Sequence, residues 1–126
     1  MILLDTNILI EHVRGNEAAR DWLVEVRRRG RLATSVLCVV ELTGGMRSAE
    51  RRVIDRLLGV LDVIEVTEHI AHRAGELLRS HRRSHHAIGV VDYVIAATAQ
   101  LHGLQLATLN VRHFPMFEGL APPFAA

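Results

Sequence analysis

Residues 1–10 read MILLDTNILI. Four apolar residues run into an acid, Asp5. Thr6 and Asn7 follow, and apolar residues then resume at helical spacing. The stretch predicts a short buried strand over residues 2–5 that hands over directly to a helix over 6–14, stopped by Gly15. The same alternation recurs along the chain. EAARDWLVEVRRR (17–29) is an amphipathic helix with Trp22, Leu23 and Val26 on one side. RLATS (31–35) is a second strand, with Ser35 as the cap of a helix over about 36–47. A further helix spans about 49–60, and DVIEV (62–66) is a third strand. Thr67 caps a helix over about 68–82, and 81–89 is a loop. An apolar helix over 90–102 stops at Gly103, and LQLATL (104–109) is a fourth strand. Strands alternating with helices predict an α/β fold. Its parallel sheet, of about four to five strands, is flanked by helices within one domain spanning residues 1–126.

Composition narrows the function classes. The chain has 126 residues, 49% of them hydrophobic, so it can bury a core. Aromatics are only 4%, which argues against base stacking as the main binding mode. Net charge is +1, and all 15 basic residues are Arg. The absence of Lys excludes any lysine-dependent mechanism, whereas Arg can fork onto phosphates. Cys38 is the single cysteine, so no intrachain disulfide forms, which fits a cytoplasmic protein. Asp5 and Glu11 interrupt the N-terminal apolar run, and no stretch approaches a membrane span.

Three acids stand in apolar settings. Asp5 ends the first strand, where helix capping is an equally good reason for an Asp. Glu41 has Leu37, Cys38, Gly44 and Gly45 at helical spacing, and the rim of an amphipathic helix is its alternative place. Asp92 has Ile95, Ala96 and Ala99 on its stripe, though an Asp in a first helical turn also favours the helix dipole. Buried unpaired carboxylates are costly and repel one another. A hard divalent cation such as Mg²⁺ or Mn²⁺ resolves both problems, so the three make more sense together than apart. In parallel α/β sheets, ligands sit at the carboxyl ends of the strands. Asp5 and Thr108-Leu109-Asn110 both occupy such ends, and Asp5 and Asn110 are candidates for one crevice. The eight histidines lack zinc-ligand spacing.

The stretches LLDTNILIE (3–11), TSVLCVVEL (34–42), DYVIAATAQLHGLQLATLN (92–110) and RHF (112–114), in this order, resemble the PIN-domain ribonucleases. Within them they resemble the VapC toxins of type II toxin–antitoxin systems. The resemblance implies a PIN fold and a toxin that is a metal-dependent endoribonuclease using Mg²⁺ or Mn²⁺. It implies that Asp5, Glu41 and Asp92 are catalytic and metal-binding, and that Thr6 supports the site through its hydroxyl. The element Thr108-Leu109-Asn110 stands where relatives often carry a fourth acid. Thr108 is thus a supporting residue, and the fourth catalytic position is Asn110, whose amide cannot act as a base. Hydrolysis would leave 5′-phosphate and 3′-hydroxyl ends.

Around an acidic centre the RNA surface must be positive. Of three Arg groups, Arg79, Arg82 and Arg83 with His85 and His86 are the expected RNA contacts, because their loop leads into the Asp92 helix. The resemblance further implies a homodimer and a VapB-type antitoxin that forms a hetero-oligomer with the toxin. DNA would be bound only through that antitoxin, and no membrane is involved. Apolar surface around Ile8, Leu9, Trp22 and Leu23 is a plausible antitoxin groove, with ordinary core as its alternative. A haloacid-dehalogenase-type phosphatase and a receiver-like phosphoacceptor also place Asp after a first strand, but both need a lysine. A PIN-fold protein that binds RNA or a partner without cutting is the remaining alternative.

Overall fold

In the computed structural model, which describes residues 1–84 and 86–125, four parallel strands form one sheet in the order β3-β2-β1-β4. The strands are β1 (Ile2–Leu4), β2 (Leu32–Ser35), β3 (Asp62–Ile64) and β4 (Gln105–Ala107). Leu4 lies opposite Thr34 on one side and Ala107 on the other. The first three strands step outward in sequence order, and the fourth returns to the free side of β1. That reversal makes the carboxyl end of β1 a topological switch point, where open parallel sheets form a crevice.

The helices are α1 (Thr6–Val13), α2 (Glu17–Arg29), α3 (Val36–Gly44), α4 (Arg51–Gly59), α5 (Glu68–His81) and α6 (Val90–His102). Their starts follow local chemistry. Asn16 accepts a hydrogen bond from the Ala19 amide at 3.1 Å, and Thr67 accepts one from Ile70 at 3.1 Å. Gly103 ends α6 with φ +64°, a conformation in which a side chain is strained. Four expected boundaries differ by two or more residues. The helix expected from 49 opens as a single 3₁₀ turn, Ser48–Glu50, because Glu50 folds back onto the Arg47 amide at 2.9 Å. The helix over 36–47 stops at Gly44, where Gly45 caps it. The third strand ends at Ile64 and the fourth at Ala107, two residues short of each expectation, since β2 and β1 offer no partners beyond those points. Among the described residues there is no fifth strand.

Helix α6 is the spine of the core. Seven consecutive residues, Tyr93 to Ala99, are buried, so the helix is enclosed on all sides rather than amphipathic. Ala96, Ala97 and Ala99 keep it thin enough for α5 to lie along it. Ile8, Leu9 and Leu23 are core residues, the alternative weighed for them beside an antitoxin groove. Trp22 is half-buried against Phe124, with ring centroids 6.1 Å apart. No helix among the described residues is long and apolar enough to cross a membrane.

One feature of the spine is energetically imperfect. The Tyr93 hydroxyl is buried and finds no hydrogen-bond partner among the described residues, and burial with the nearby Asp92 charge pushes its pKa up. A phenylalanine keeps the ring and removes the unsatisfied group. Tyr93→Phe is therefore expected to raise stability by about 1 kcal/mol, read as a higher urea midpoint at unchanged slope. A lower midpoint would show that the hydroxyl is in fact satisfied.

Candidate metal centre at the switch point

Asp5 sits at the junction that the sequence flags. Its backbone amide still bonds to Ala107 of β4 at 2.9 Å, and its side chain already caps α1 by accepting from the Thr6 amide at 2.8 Å. The capping role and the crevice position are thus both real. The carboxylate is buried at 5% exposure. Its Oδ2 takes the Thr108 hydroxyl at 2.8 Å and the Asn7 amide at 3.3 Å. Burial holds the Asp5 pKa above its ordinary value, and the Thr108 and Thr6 hydrogen bonds pull against that shift. The charges of Asp92 and Glu41 add to the rise, which places all three acids within electrostatic reach.

The other two acids are less buried than their neighbours in sequence suggest. Glu41 is exposed and reaches the site along the rim of α3, where its Oε1 accepts the Thr6 hydroxyl at 2.6 Å. Helical spacing identified its small and apolar neighbours correctly, but Cys38 turns inward and Glu41 outward. Asp92 is half-buried in the first turn of α6. Its Oδ2 accepts the Gly89 amide at 3.3 Å and faces His113 Nδ1 at 3.0 Å.

Two residues hold the crevice together without having been singled out. Asn7 donates to Asp5 and to Thr108 Oγ1 at 3.2 Å, and its own oxygen accepts the Leu109 amide at 3.0 Å. It thereby ties the end of β1 to the turn after β4. His113 belongs to a one-turn 3₁₀ helix, Val111–His113, and reaches back to Asp92. The signal for Asn7 was its place two residues after a site acid. His113 lay within the RHF stretch, which carried no assigned role. Thr108 is fully buried and saturated: it donates to Asp5 and accepts from Asn7 and from the Asn110 amide at 3.0 Å. Asn110 is brought to the crevice by its backbone. Its side chain is exposed and makes no hydrogen bond with the described residues.

The acids fit a hard cation in their chemistry. Glu41 and Asp92 each have one oxygen held by the protein and keep the other, Oε2 and Oδ1, without a donor among the described residues, whereas Asp5 has donors on both oxygens and retains only its remaining lone pairs. Among the described residues no group of three or more acidic, histidine or cysteine side chains is placed to hold a metal ion. Mg²⁺, which keeps several of its waters, does not require a closed shell of protein ligands. The arginines stand apart. Arg79 closes α5, and Arg82, Arg83 and His86 are exposed beyond it, none bonded to the acids; His85 lies outside the described residues. A cleft of about 530 Å³ opens beside Glu41, lined by Ile10, Val13, Leu42, Met46 and Ile54, with Arg14, Arg47 and Glu50 at its edge.

Residues 2–117 match the model of the PIN domain. The chain belongs to the PIN-domain family. This PIN domain is 61% identical to Ribonuclease VapC10 of Mycobacterium tuberculosis over 125 residues, 99% of this chain and 94% of the relative. A toxin–antitoxin complex from Klebsiella pneumoniae superimposes on it with TM-score 0.81, 26% identity and full coverage of both chains. VapBC-1 from nontypeable Haemophilus influenzae does so with TM-score 0.72 and 27% identity over 90% of each chain. The parallel sheet flanked by helices is the PIN fold.

Proposed function

We propose that this PIN domain is the toxin of a type II toxin–antitoxin pair, an endoribonuclease of the VapC kind dependent on Mg²⁺ or Mn²⁺. One observation carries the reading: Thr6 links Asp5 to Glu41 at the switch point, within electrostatic reach of Asp92, in a chain 61% identical to a named VapC ribonuclease over its length. Asp5 and Asp92 would hold the cation, and Glu41 would complete its shell or orient the attacking water. When bound, such an ion acidifies a water and neutralises charge on the scissile phosphate. The chain's residues do the rest. Thr6 holds Glu41, Thr108 and Asn7 hold Asp5, and Gly89 and His113 fix one oxygen of Asp92. Attack in line with the 3′ oxygen leaves a 5′-phosphate and a 3′-hydroxyl and does not use the 2′-hydroxyl.

Arg79, Arg82, Arg83, His85 and His86 are the proposed contacts to RNA phosphates, so cleavage at limiting RNA should fall steeply as salt rises. A VapB-type antitoxin is the proposed partner in a hetero-oligomer built on a toxin homodimer in the cytoplasm, and DNA is met only through it. The cleft beside Glu41, which Ile10 and Val13 of α1 help to line, suits an apolar antitoxin segment better than Ile8 and Leu9 do, since those two are core.

The test is incubation of antitoxin-free protein with total cellular RNA, with Mg²⁺ or Mn²⁺ or with chelator, and mapping of new ends. Discrete metal-dependent cuts bearing 5′-phosphates, absent in Asp92→Asn, are expected. Folded wild-type protein that cuts nothing would favour the non-cutting RNA- or partner-binding reading, for which the amide at Asn110 is the relevant observation.

A further inference from the structure

Asp92 is held asymmetrically. Its Oδ2 accepts the Gly89 amide and lies 3.0 Å from His113 Nδ1, whereas Oδ1 takes no donor from the described residues. His113 is itself held in place. Its 3₁₀ turn begins right after Thr108-Leu109-Asn110, which Asn7 and Thr108 clamp to β1. The turn closes through the His113 amide on Asn110 at 3.0 Å. On its far side Phe114 is buried at 1% exposure and packs near Phe117. The imidazole therefore sits between a hydrogen-bonded anchor and an apolar one. Its side chain keeps 31% exposure, so burial alone does not explain a histidine there.

We propose that His113 is a positioning residue for the metal centre. By donating from Nδ1 to Asp92 Oδ2 it locks the carboxylate rotamer and leaves Oδ1 as the atom presented to the cation. It also couples the segment after β4 to the start of α6, two elements that share no strand pairing. Donation to an ionised carboxylate requires the proton on Nδ1. Partners that orient ligands in this way commonly set metal affinity by 10–100-fold. The inference rests on the proposed metal-dependent nuclease, but its test can fail separately.

The side chains that discriminate are known from geometry. Asparagine places a nitrogen donor near the position of Nδ1, and glutamine places one near Nε2. His113→Ala, His113→Asn and His113→Gln would be titrated with Mn²⁺ in the absence of RNA, free ion being read by electron paramagnetic resonance. The Mn²⁺ requirement for cleavage would be measured in parallel. His113→Ala and His113→Gln should each weaken Mn²⁺ binding about 10–100-fold. His113→Asn should stay within a few-fold of wild type. Melting of the metal-free variants should be little changed, since Phe114 keeps the turn in the core; should His113→Ala unfold, the Asn–Gln comparison decides. Equal binding by His113→Ala and wild type, or rescue by Gln as complete as by Asn, overturns the assignment. Wild type that binds Mn²⁺ but cuts no RNA refutes the nuclease reading while the binding series still decides His113. Wild type that binds no Mn²⁺ overturns both.

Discussion

Asp5→Asn is expected to lower RNA cleavage by about 10³-fold, equivalent to about 4 kcal/mol of transition-state stabilisation. The change keeps the shape of the side chain and removes one charge at the most buried of the three acids. The same substitution isolates a pH effect in the metal-free protein. Burial, with Asp92 and Glu41 nearby, holds the Asp5 pKa above its ordinary 3.8. The folded state therefore binds that proton more tightly than the unfolded chain does. Between 3.8 and the raised value the unfolded chain has already released its proton and the folded one has not. Stability is lost as pH rises through this window, the reverse of an ion-paired carboxylate. The difference in unfolding free energy between wild type and Asp5→Asn, measured with chelator present, should thus shrink or change sign as pH rises above about 4. Divalent cation should restore wild type and leave the variant unmoved, because a ligand that binds only the folded state stabilises it. A pH-independent difference would mean that Asp5 titrates alike in both states. Full cleavage by the variant would remove Asp5 from the chemistry.

How much of this was legible in the sequence depends on how local the determining physics is. Asp5 could be read because a carboxylate at a strand-to-helix junction is conspicuous, and the strand order confirms why that junction matters. Helix α2 was legible to the residue, since its cap and its period agree. Glu41 is exposed at the rim of α3, which is the alternative place weighed for it; periodicity alone cannot say which side of a largely apolar helix meets the sheet. For Ile8, Leu9 and Leu23 an exposed groove and ordinary core were both open, and they are core, since apolar spacing on a helix does not say whether its face is covered. Asn7 and His113 were not legible as site residues. Asn7 bonds Asp5 two residues away, but its link to Thr108 spans 101 residues and that of His113 to Asp92 spans 21, distances no local pattern encodes. Thr108 was read as a supporting residue through resemblance, and only the fold displays its three hydrogen bonds.

Those three bonds make Thr108→Val the most damaging change expected outside the acids. Valine matches threonine in shape, so no cavity opens and the effect belongs to the hydroxyl. Its loss strips Asp5 Oδ2 of its shorter donor and leaves the Asn110 amide without its acceptor. Asn7 retains Asp5 at 3.3 Å and the Leu109 amide, so the network is broken rather than abolished. Thr108 has no exposed surface, so water cannot enter beside it to replace the lost partners. A part-buried donor left without its acceptor and a buried carboxylate stripped of its hydroxyl bond together should cost about 2–4 kcal/mol, large against the marginal stability of a domain this size. Thr108→Ser keeps the hydroxyl and loses one methyl, so it should cost only about 1 kcal/mol. Urea midpoints at constant slope give both values. If Val and Ser prove equally stable, the hydroxyl contributes nothing net, and the link between β1 and β4 must rest on Asn7 and the strand pairing alone. If Val is the weaker by the expected margin, the clamp that sets Asp5 beside the turn after β4 is Thr108 itself. A polar side chain at the end of a strand then does for this site what packing does for the rest of the sheet.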